Sequence, residues 1–174
     1  MDTITRLAQN IKLIIFDIDG VLTDGTLFFD NQGEEYKAFN SKDGHGIRML
    51  LECGLQAAVI TGRQSKLVAH RMQDLGVEIL FQGYRDKRPA FSELLKITGL
   101  DKEQIAYIGD DVVDLPVMQQ VGMAIAVQDA HPFVIQHADY VTACGGGRGA
   151  AREAIEFILQ AQQLLDAKLD SYLV

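Results

Sequence analysis

Short, wholly apolar runs alternate with segments of helical spacing along almost the whole chain, and no other feature constrains the fold as tightly. The runs occupy residues 13–16, 57–60, 77–81, 105–108, 124–127 and 140–142. Continuous Val/Ile/Leu character over four or five residues is the pattern of a strand buried on both faces, as in parallel sheets. Between the runs lie helical segments with recognisable ends. Residues 47–53 stop at Gly54. Residues 66–75 carry Leu67, Val68, Met72 and Leu75 and stop at Gly76. Pro89 opens a segment with Phe91, Leu94, Leu95 and Ile97 that stops at Gly99. Proline in the first turn and glycine after the last periodic residue are the expected helix asymmetry. Strand–helix alternation at this spacing predicts βαβ units, hence an α/β fold with a Rossmann-like parallel sheet and helices on both faces. The 174 residues, 48% of them hydrophobic, suit one domain over 1–174.

Two stretches depart from the alternation. Residues 26–40 read as two strands around the turn Asp30-Asn31-Gln32-Gly33, a β-hairpin inserted after the first strand. A hairpin of this size is marginal alone, so it is expected to pack on its own domain or on a neighbouring subunit. At the other end, residues 145–149 form a glycine-rich segment expected to be flexible. A long helix is expected over 150–165, with Ile155, Ile158, Leu159 and Leu165 as its apolar stripe, and residues 166–174 as a loose tail.

Charge and cysteine content narrow the function. A net charge of −8 argues against a nucleic-acid surface, although a local cluster of Lys and Arg can still receive an anionic substrate. Cys53 and Cys144 form no C-x-x-C pair and read as reduced thiols of a cytoplasmic protein. Residues 1–10 do not read as a secretory leader, and no apolar run reaches the roughly 18 residues of a membrane span.

The chemistry is concentrated where the apolar runs end. The first run ends in Asp17-Ile18-Asp19-Gly20, and residues i and i+2 share a face of an extended chain, so both carboxylates can address one point. Buried acids cost free energy unless paired, hydrogen-bonded or metal-bound. The second run ends in Thr61-Gly62-Arg63. Lys87 precedes the Pro89 helix, and the run 105–108 ends in Gly109-Asp110-Asp111 with Asp114 beyond. Several acids together suit a hard cation such as Mg²⁺. A hydroxyl and a lysine suit a phosphoryl group.

These four strand-end motifs, in this order, resemble the haloacid dehalogenase superfamily of phosphohydrolases. The resemblance covers most of the chain. It implies Asp17 as the nucleophile that forms an aspartyl-phosphate, and Asp19 as general acid for the leaving alcohol and then general base for water. It further implies Thr61 and Lys87 as holders of the phosphoryl oxygens. Mg²⁺ would be held by Asp17, the Asp19 backbone carbonyl and Asp110, with Asp111 or Asp114 outside them. An anionic nucleophile approaching an anionic ester needs such cations to offset repulsion.

The hairpin is the only insertion between the first two motifs, and only 25 residues (62–86) separate Thr61 from Lys87, which leaves no room for a cap domain. The chain therefore resembles the capless subgroup, and within it the family acting on an eight-carbon sugar acid, 3-deoxy-D-manno-octulosonate 8-phosphate, in lipopolysaccharide precursor synthesis. Residues 19–25, the hairpin, 39–44, 60–63 and 146–152 carry this likeness. It implies a homotetramer assembled through the hairpins, whose subunits and C-terminal segments close one another's sites. It also implies Asn40, Ser41, Lys42, Asp43 and Gly44 as contacts to the sugar acid. Arg48, Arg63 and Arg71 would oppose its carboxylate or phosphate, the task for which a guanidinium fork is suited.

Plainer roles exist for the same residues. Thr61 can cap a helix, Asp111 and Asp114 can serve as a first-turn acidic pair, and helical arginines such as Arg48 and Arg71 are ordinarily solvated. His45, beside Gly44, is a further ligand candidate. The rival readings are a phosphatase of a nine-carbon, sialic-type acid 9-phosphate, and an inactive scaffold of the same fold. The second would be marked by loss of Asp17 or Asp19, and both are present. A mutase would need the missing cap.

Overall fold

The structure is a computed structural model and describes residues 3–173. Six parallel strands form one sheet in the order β5-β4-β1-β6-β7-β8. They are β1 (Leu13–Phe16), β4 (Gln56–Thr61), β5 (Ile79–Gln82), β6 (Ile105–Gly109), β7 (Met123–Ala126) and β8 (Tyr140–Val141). The hairpin strands β2 (Phe28–Phe29) and β3 (Glu35–Tyr36) make a separate two-stranded sheet. β1 is buried throughout and pairs with β4 on one side and β6 on the other, Phe16 lying opposite both Val59 and Ile108. All of β6 and β7 is buried as well, which explains the unbroken apolar runs.

Helices cover both faces. α1 (Thr3–Asn10), α2 (Ser41–Glu52), α3 (Lys66–Leu75) and α7 (Ala150–Ala161) form one contiguous layer, α1 and α2 each packing on α7, and α2 on α3. α4 (Arg88–Thr98) packs on α5 (Leu115–Met118). Because parallel crossovers are right-handed, reversal of direction after β5 places α4 and α5 on the opposite face from α3. Short α6 (Pro132–Ile135) and α8 (Leu165–Asp170) complete the set. Among the described residues no helix is long and apolar enough to cross a membrane.

Four expectations about helices and the C-terminal region are corrected. α2 begins at Ser41 rather than near 47. Asn40 caps it by accepting the Lys42 N–H at 2.8 Å, and the helix tolerates Gly44 and Gly46 because Arg71 and Arg152 fill the space their Cβ atoms would take. The helix expected over 150–165 stops at Ala161, where Gln163 adopts a left-handed φ of 61° and turns the chain into α8. Most of the expected loose tail is therefore helical, and Tyr172 packs on His45 with ring centroids 5.4 Å apart; Val174 lies outside the described residues. Finally, the glycine-rich segment is packed rather than loose. A Cβ on Gly146 would come 1.8 Å from the Gly20 carbonyl oxygen, and Gly147 N donates to Val21 O at 2.8 Å.

The hairpin itself is shorter than 26–40, with two residues per strand. Its turn is held by Asp30, whose carboxylate accepts the N–H groups of Gln32 and Glu34. Leu27, Phe28, Phe29 and Tyr36 are exposed on it.

Candidate active site

The chain runs outward from β1 through β4 and β5, then crosses to β6 on the other side of β1. Open α/β sheets bind ligands at such a switch point, beyond the carboxyl ends of the strands. Asp17 leaves β1 here, its N–H donating to Ile108 O at 3.1 Å. Thr61 ends β4, Lys87 stands at the N-cap of α4, and Asp110 and Asp114 follow β6. Asp17, Thr61, Lys87 and Asp114 are all buried polar residues.

Lys87 is the hub. Its Nζ lies 2.8 Å from Asp17 Oδ1, and it donates to Asp114 Oδ1 at 2.6 Å and to the Tyr107 hydroxyl at 3.0 Å. The Tyr107 hydroxyl in turn donates to Asp114 Oδ1 at 2.7 Å. Asp114 Oδ2 accepts the N–H groups of Asp110 and Asp111 at 3.0 and 3.2 Å. Both oxygens of Asp114 are thus engaged, and the residue organises the loop that presents Asp110.

Two oxygens are treated differently. Asp110 Oδ1 is buried with no hydrogen-bond partner, and Asp17 Oδ1 sits beside the Lys87 ammonium without hydrogen-bond alignment. Asp17, Asp110 and Asp114 each bring an oxygen within 4.8 Å of the others. Three carboxylates against the single Lys87 ammonium leave two negative charges when all are ionised, which is the charge of one divalent cation. Burial, reinforced by Asp114, pushes the Asp17 pKa up to about 7, against the pull of Lys87. Burial together with Asp17 and Asp114 pushes Asp110 up to about 8. Lys87 loses hydration by burial, but Asp17 and Asp114 outweigh that and hold its pKa above the ordinary value. The acids that are hard to ionise are those with an orphaned or poorly paired oxygen, a donor set that fits a hard divalent cation. Gly20 makes the approach possible: with φ of 93°, a Cβ there would fall 2.1 Å from Asp110 Oδ2.

Asp19 belongs to a second cluster. Its Oδ1 accepts from Lys37 Nζ at 2.5 Å, and its Oδ2 lies 3.7 Å from Arg63 Nε. Glu35 joins both cations, 3.2 Å from Lys37 Nζ and 2.8 Å from Arg63 Nη2. Burial opposes the charge on Glu35, but its bonds to Arg63, Ser65 and Lys37 prevail and keep its carboxyl below the ordinary range. The pair at i and i+2 therefore faces two environments, Asp17 towards Lys87 and Asp19 towards the hairpin.

Comparison with known proteins agrees with this geometry. Residues 77–152 match the model for a haloacid dehalogenase-like hydrolase. The 3-deoxy-D-manno-octulosonate 8-phosphate phosphatase KdsC of Escherichia coli strain K12 is 52% identical over 159 residues, covering 91% of this chain and 85% of the relative. The chain belongs to this family of haloacid dehalogenase-like phosphatases. Solved members superpose closely. A crystal structure of the Yersinia pestis phosphatase has a TM-score of 0.94 at 50% identity, covering 95% of this chain and 89% of the other. The Moraxella catarrhalis phosphatase, solved with a magnesium ion, a phosphate ion and a KDO molecule, has a TM-score of 0.96 at 39% identity, covering 99% of both chains.

On this KdsC-like framework the remaining expected residues fall into groups. Arg63 reaches Asp19, as above. Asn40, Ser41, Lys42, Asp43 and Gly44 form the start of α2, tied to the glycine-rich segment by Asn40 Nδ2 donating to Gly147 O at 3.1 Å. The buried Asp43 carboxylate accepts the N–H groups of Gly149 and Arg152 at 3.2 and 2.9 Å, so it caps α7 from another helix. Burial raises its pKa despite those bonds. Lys42 lies on an open groove with Arg148 and Arg152. Arg48 is not brought to the strand ends: its guanidinium binds the Asp74 carbonyl and is half exposed. Arg71 binds the Asp74 carboxylate at 2.9 Å and borders Gly44. Asp111 uses its carboxylate on the Val112 N–H at 2.7 Å and is exposed. His45 faces Tyr172.

Sequence reasoning missed Tyr107, Lys37 and Glu35. Tyr107 had a signal, since a phenol in the middle of a buried strand needs a partner for its hydroxyl. Lys37 and Glu35 had none, because alternating charges on a hairpin read as a solvated face.

Proposed function

We propose that the chain is a Mg²⁺-dependent phosphatase that hydrolyses 3-deoxy-D-manno-octulosonate 8-phosphate to 3-deoxy-D-manno-octulosonate and phosphate in lipopolysaccharide precursor synthesis. The observation that carries this is the buried cluster of Asp17, Lys87, Asp110 and Asp114 at the switch point, with an orphaned Asp110 oxygen, in a chain 52% identical to a phosphatase of that name.

In this reading Asp17 attacks phosphorus, and the P–O bond to the sugar breaks as an acyl phosphate forms on its carboxylate. Splitting hydrolysis in this way replaces one difficult displacement with two easier ones. Thr61 and Lys87 hold the phosphoryl oxygens. Asp19 protonates the departing alkoxide, then takes a proton from the water that attacks phosphorus and frees Asp17. Asp17, the Asp19 backbone carbonyl and Asp110 would hold the magnesium ion, with Asp114 and Asp111 outside them. The ion supplies charge neutralisation between the anionic nucleophile and the anionic ester. Asn40 to Gly44 and Arg63 bind the sugar acid, with Arg71 contributing from α3; Arg48, held on Asp74 away from the strand ends, is left out of the set.

The exposed Leu27, Phe28, Phe29 and Tyr36 support assembly through the hairpin, as a homotetramer whose subunits supply the cover that a cap would otherwise provide. A cytoplasmic location fits the two free cysteines. Phosphate release from a panel of eight- and nine-carbon sugar-acid phosphates, with Mg²⁺ and with chelator, tests the assignment. Turnover should favour the eight-carbon 8-phosphate and vanish with chelator. Preference for a nine-carbon 9-phosphate would transfer the assignment to that substrate. Replacing Phe28 and Phe29 by Ser should lower the sedimentation coefficient; an unchanged value would reject the hairpin interface.

A further inference from the structure

Lys37 does not behave like a hairpin surface residue. It lies just past β3 in a hairpin whose other large side chains face solvent, yet its own side chain is only 1% exposed. Burying a lysine is costly unless its charge is paired. Lys37 is paired twice, with Asp19 Oδ1 at 2.5 Å and with Glu35 Oε1 at 3.2 Å. Arg63 closes the circuit between Glu35 and Asp19 and lies over the Phe29 ring, 5.8 Å from its centroid. The hairpin thus contributes Phe29, Glu35 and Lys37 to a built cluster ending on the carboxylate of Asp19.

From this geometry we infer that Lys37 is a positioning residue for the reaction: it fixes the rotamer of Asp19 so that the carboxyl meets the leaving oxygen. The inference rests on the reading of Asp19 as proton donor. A single carboxyl that must serve first the alkoxide and then the water gains from a fixed orientation, since misplacement of about 1 Å can cost 10²-fold in rate. Glu35 is the second part of the device. It gives the Lys37 ammonium a second carboxylate, 3.2 Å away, and is itself tied to Arg63 at 2.8 Å, so the lysine is held from two sides. Because Lys37 and Glu35 lie on the hairpin, the placement of Asp19 depends on the hairpin's seat against the sheet.

Leaving-group dependence tests this, because a poor alkoxide leaving group needs proton donation and p-nitrophenolate hardly does. The parameter is kcat/KM with Mg²⁺, which reports the steps through cleavage of the sugar–phosphate bond. Lys37→Met should lower kcat/KM for the sugar-acid 8-phosphate by about 10²-fold, within the usual worth of general acid catalysis. For p-nitrophenyl phosphate the loss should stay below about threefold, which also reports that the variant is folded. Lys37→Arg, which restores a cation, should recover most of the loss. Equal losses on both esters, or none on either, would overturn the inference. Asp19→Asn, assayed alongside, separates the two levels. If it is selective for the alkyl ester and Lys37→Met is not, the positioning role alone fails. If Asp19→Asn shows no selectivity, the donor reading and the inference fall together.

Discussion

At the scale of single residues, the site is a contest between burial and pairing. Lys87 is one of four consecutive polar residues from Arg85 to Arg88, yet it alone is buried, while Asp86 and Arg88 pair with each other at the surface. What selects Lys87 is the pair of carboxylates, Asp17 and Asp114, beyond the carboxyl ends of β1 and β6. Tyr107 is part of that selection. Its hydroxyl stands between Lys87 and Asp114, and burial, with Asp114 beside it, pushes its pKa well above the ordinary value, so it remains a neutral donor. Tyr107→Phe removes that donor and leaves Asp114 Oδ1 with Lys87 alone. Stability should fall by about 1–2 kcal/mol, the cost of a buried hydrogen bond lost without replacement, readable in urea unfolding. kcat should fall more than KM rises, because Lys87 is less firmly held. Unchanged stability and turnover would show that the hydroxyl is incidental.

At the scale of elements, legibility followed locality. The bounds of β1 and α3 could be read from sequence because both are set by local patterns, an unbroken apolar run closed by Asp17 and an apolar stripe closed by Gly76. α1 escaped notice although Ile4, Leu7, Ala8 and Ile11 have helical spacing. The break after Ala161 could not be read, because Gln162 and Gln163 are good helix formers and only the turn into α8 stops the helix. The glycine-rich segment looked loose because what holds it is distant in sequence: Gly20, Asn40 and Asp43. Asp43 is the clearest case, a residue of α2 capping α7. Asp43→Ala should lower stability by about 1–3 kcal/mol, as for a lost cap with two stranded donors, measured by thermal unfolding. A melting temperature equal to that of the parent protein would mean that the cross-helix cap contributes nothing.

At the scale of the whole molecule, metal, proton and fold are linked. Asp17 and Asp110 bind protons more tightly in the folded, metal-free protein, with pKa values of about 7 and about 8, than in the unfolded chain, where carboxyls titrate near 3.8. Between about pH 4 and pH 8 the native state therefore holds more protons than the unfolded state, and these groups make stability fall as pH rises through that window. A divalent cation would displace those protons and stabilise the folded form by mass action. Melting temperatures with and without Mg²⁺ should diverge more at pH 8 than at pH 6, and Asp110→Asn should flatten the dependence in the metal-free protein. Equal Mg²⁺ increments at both pH values would contradict this linkage. The fold class, the strand-end motifs and the lack of a cap were legible because each is written locally. The hairpin's contribution to the site was not, since it depends on where a two-residue strand comes to rest.

The central claim is that Asp17 becomes covalently phosphorylated during turnover. Acid quenching during steady-state hydrolysis of the sugar-acid phosphate, followed by peptide mass mapping, tests it most directly. The account predicts one phosphoryl group on the peptide containing Asp17, and neither adduct nor turnover in Asp17→Asn. A phosphoryl group on another residue, or sustained hydrolysis by Asp17→Asn, would contradict it.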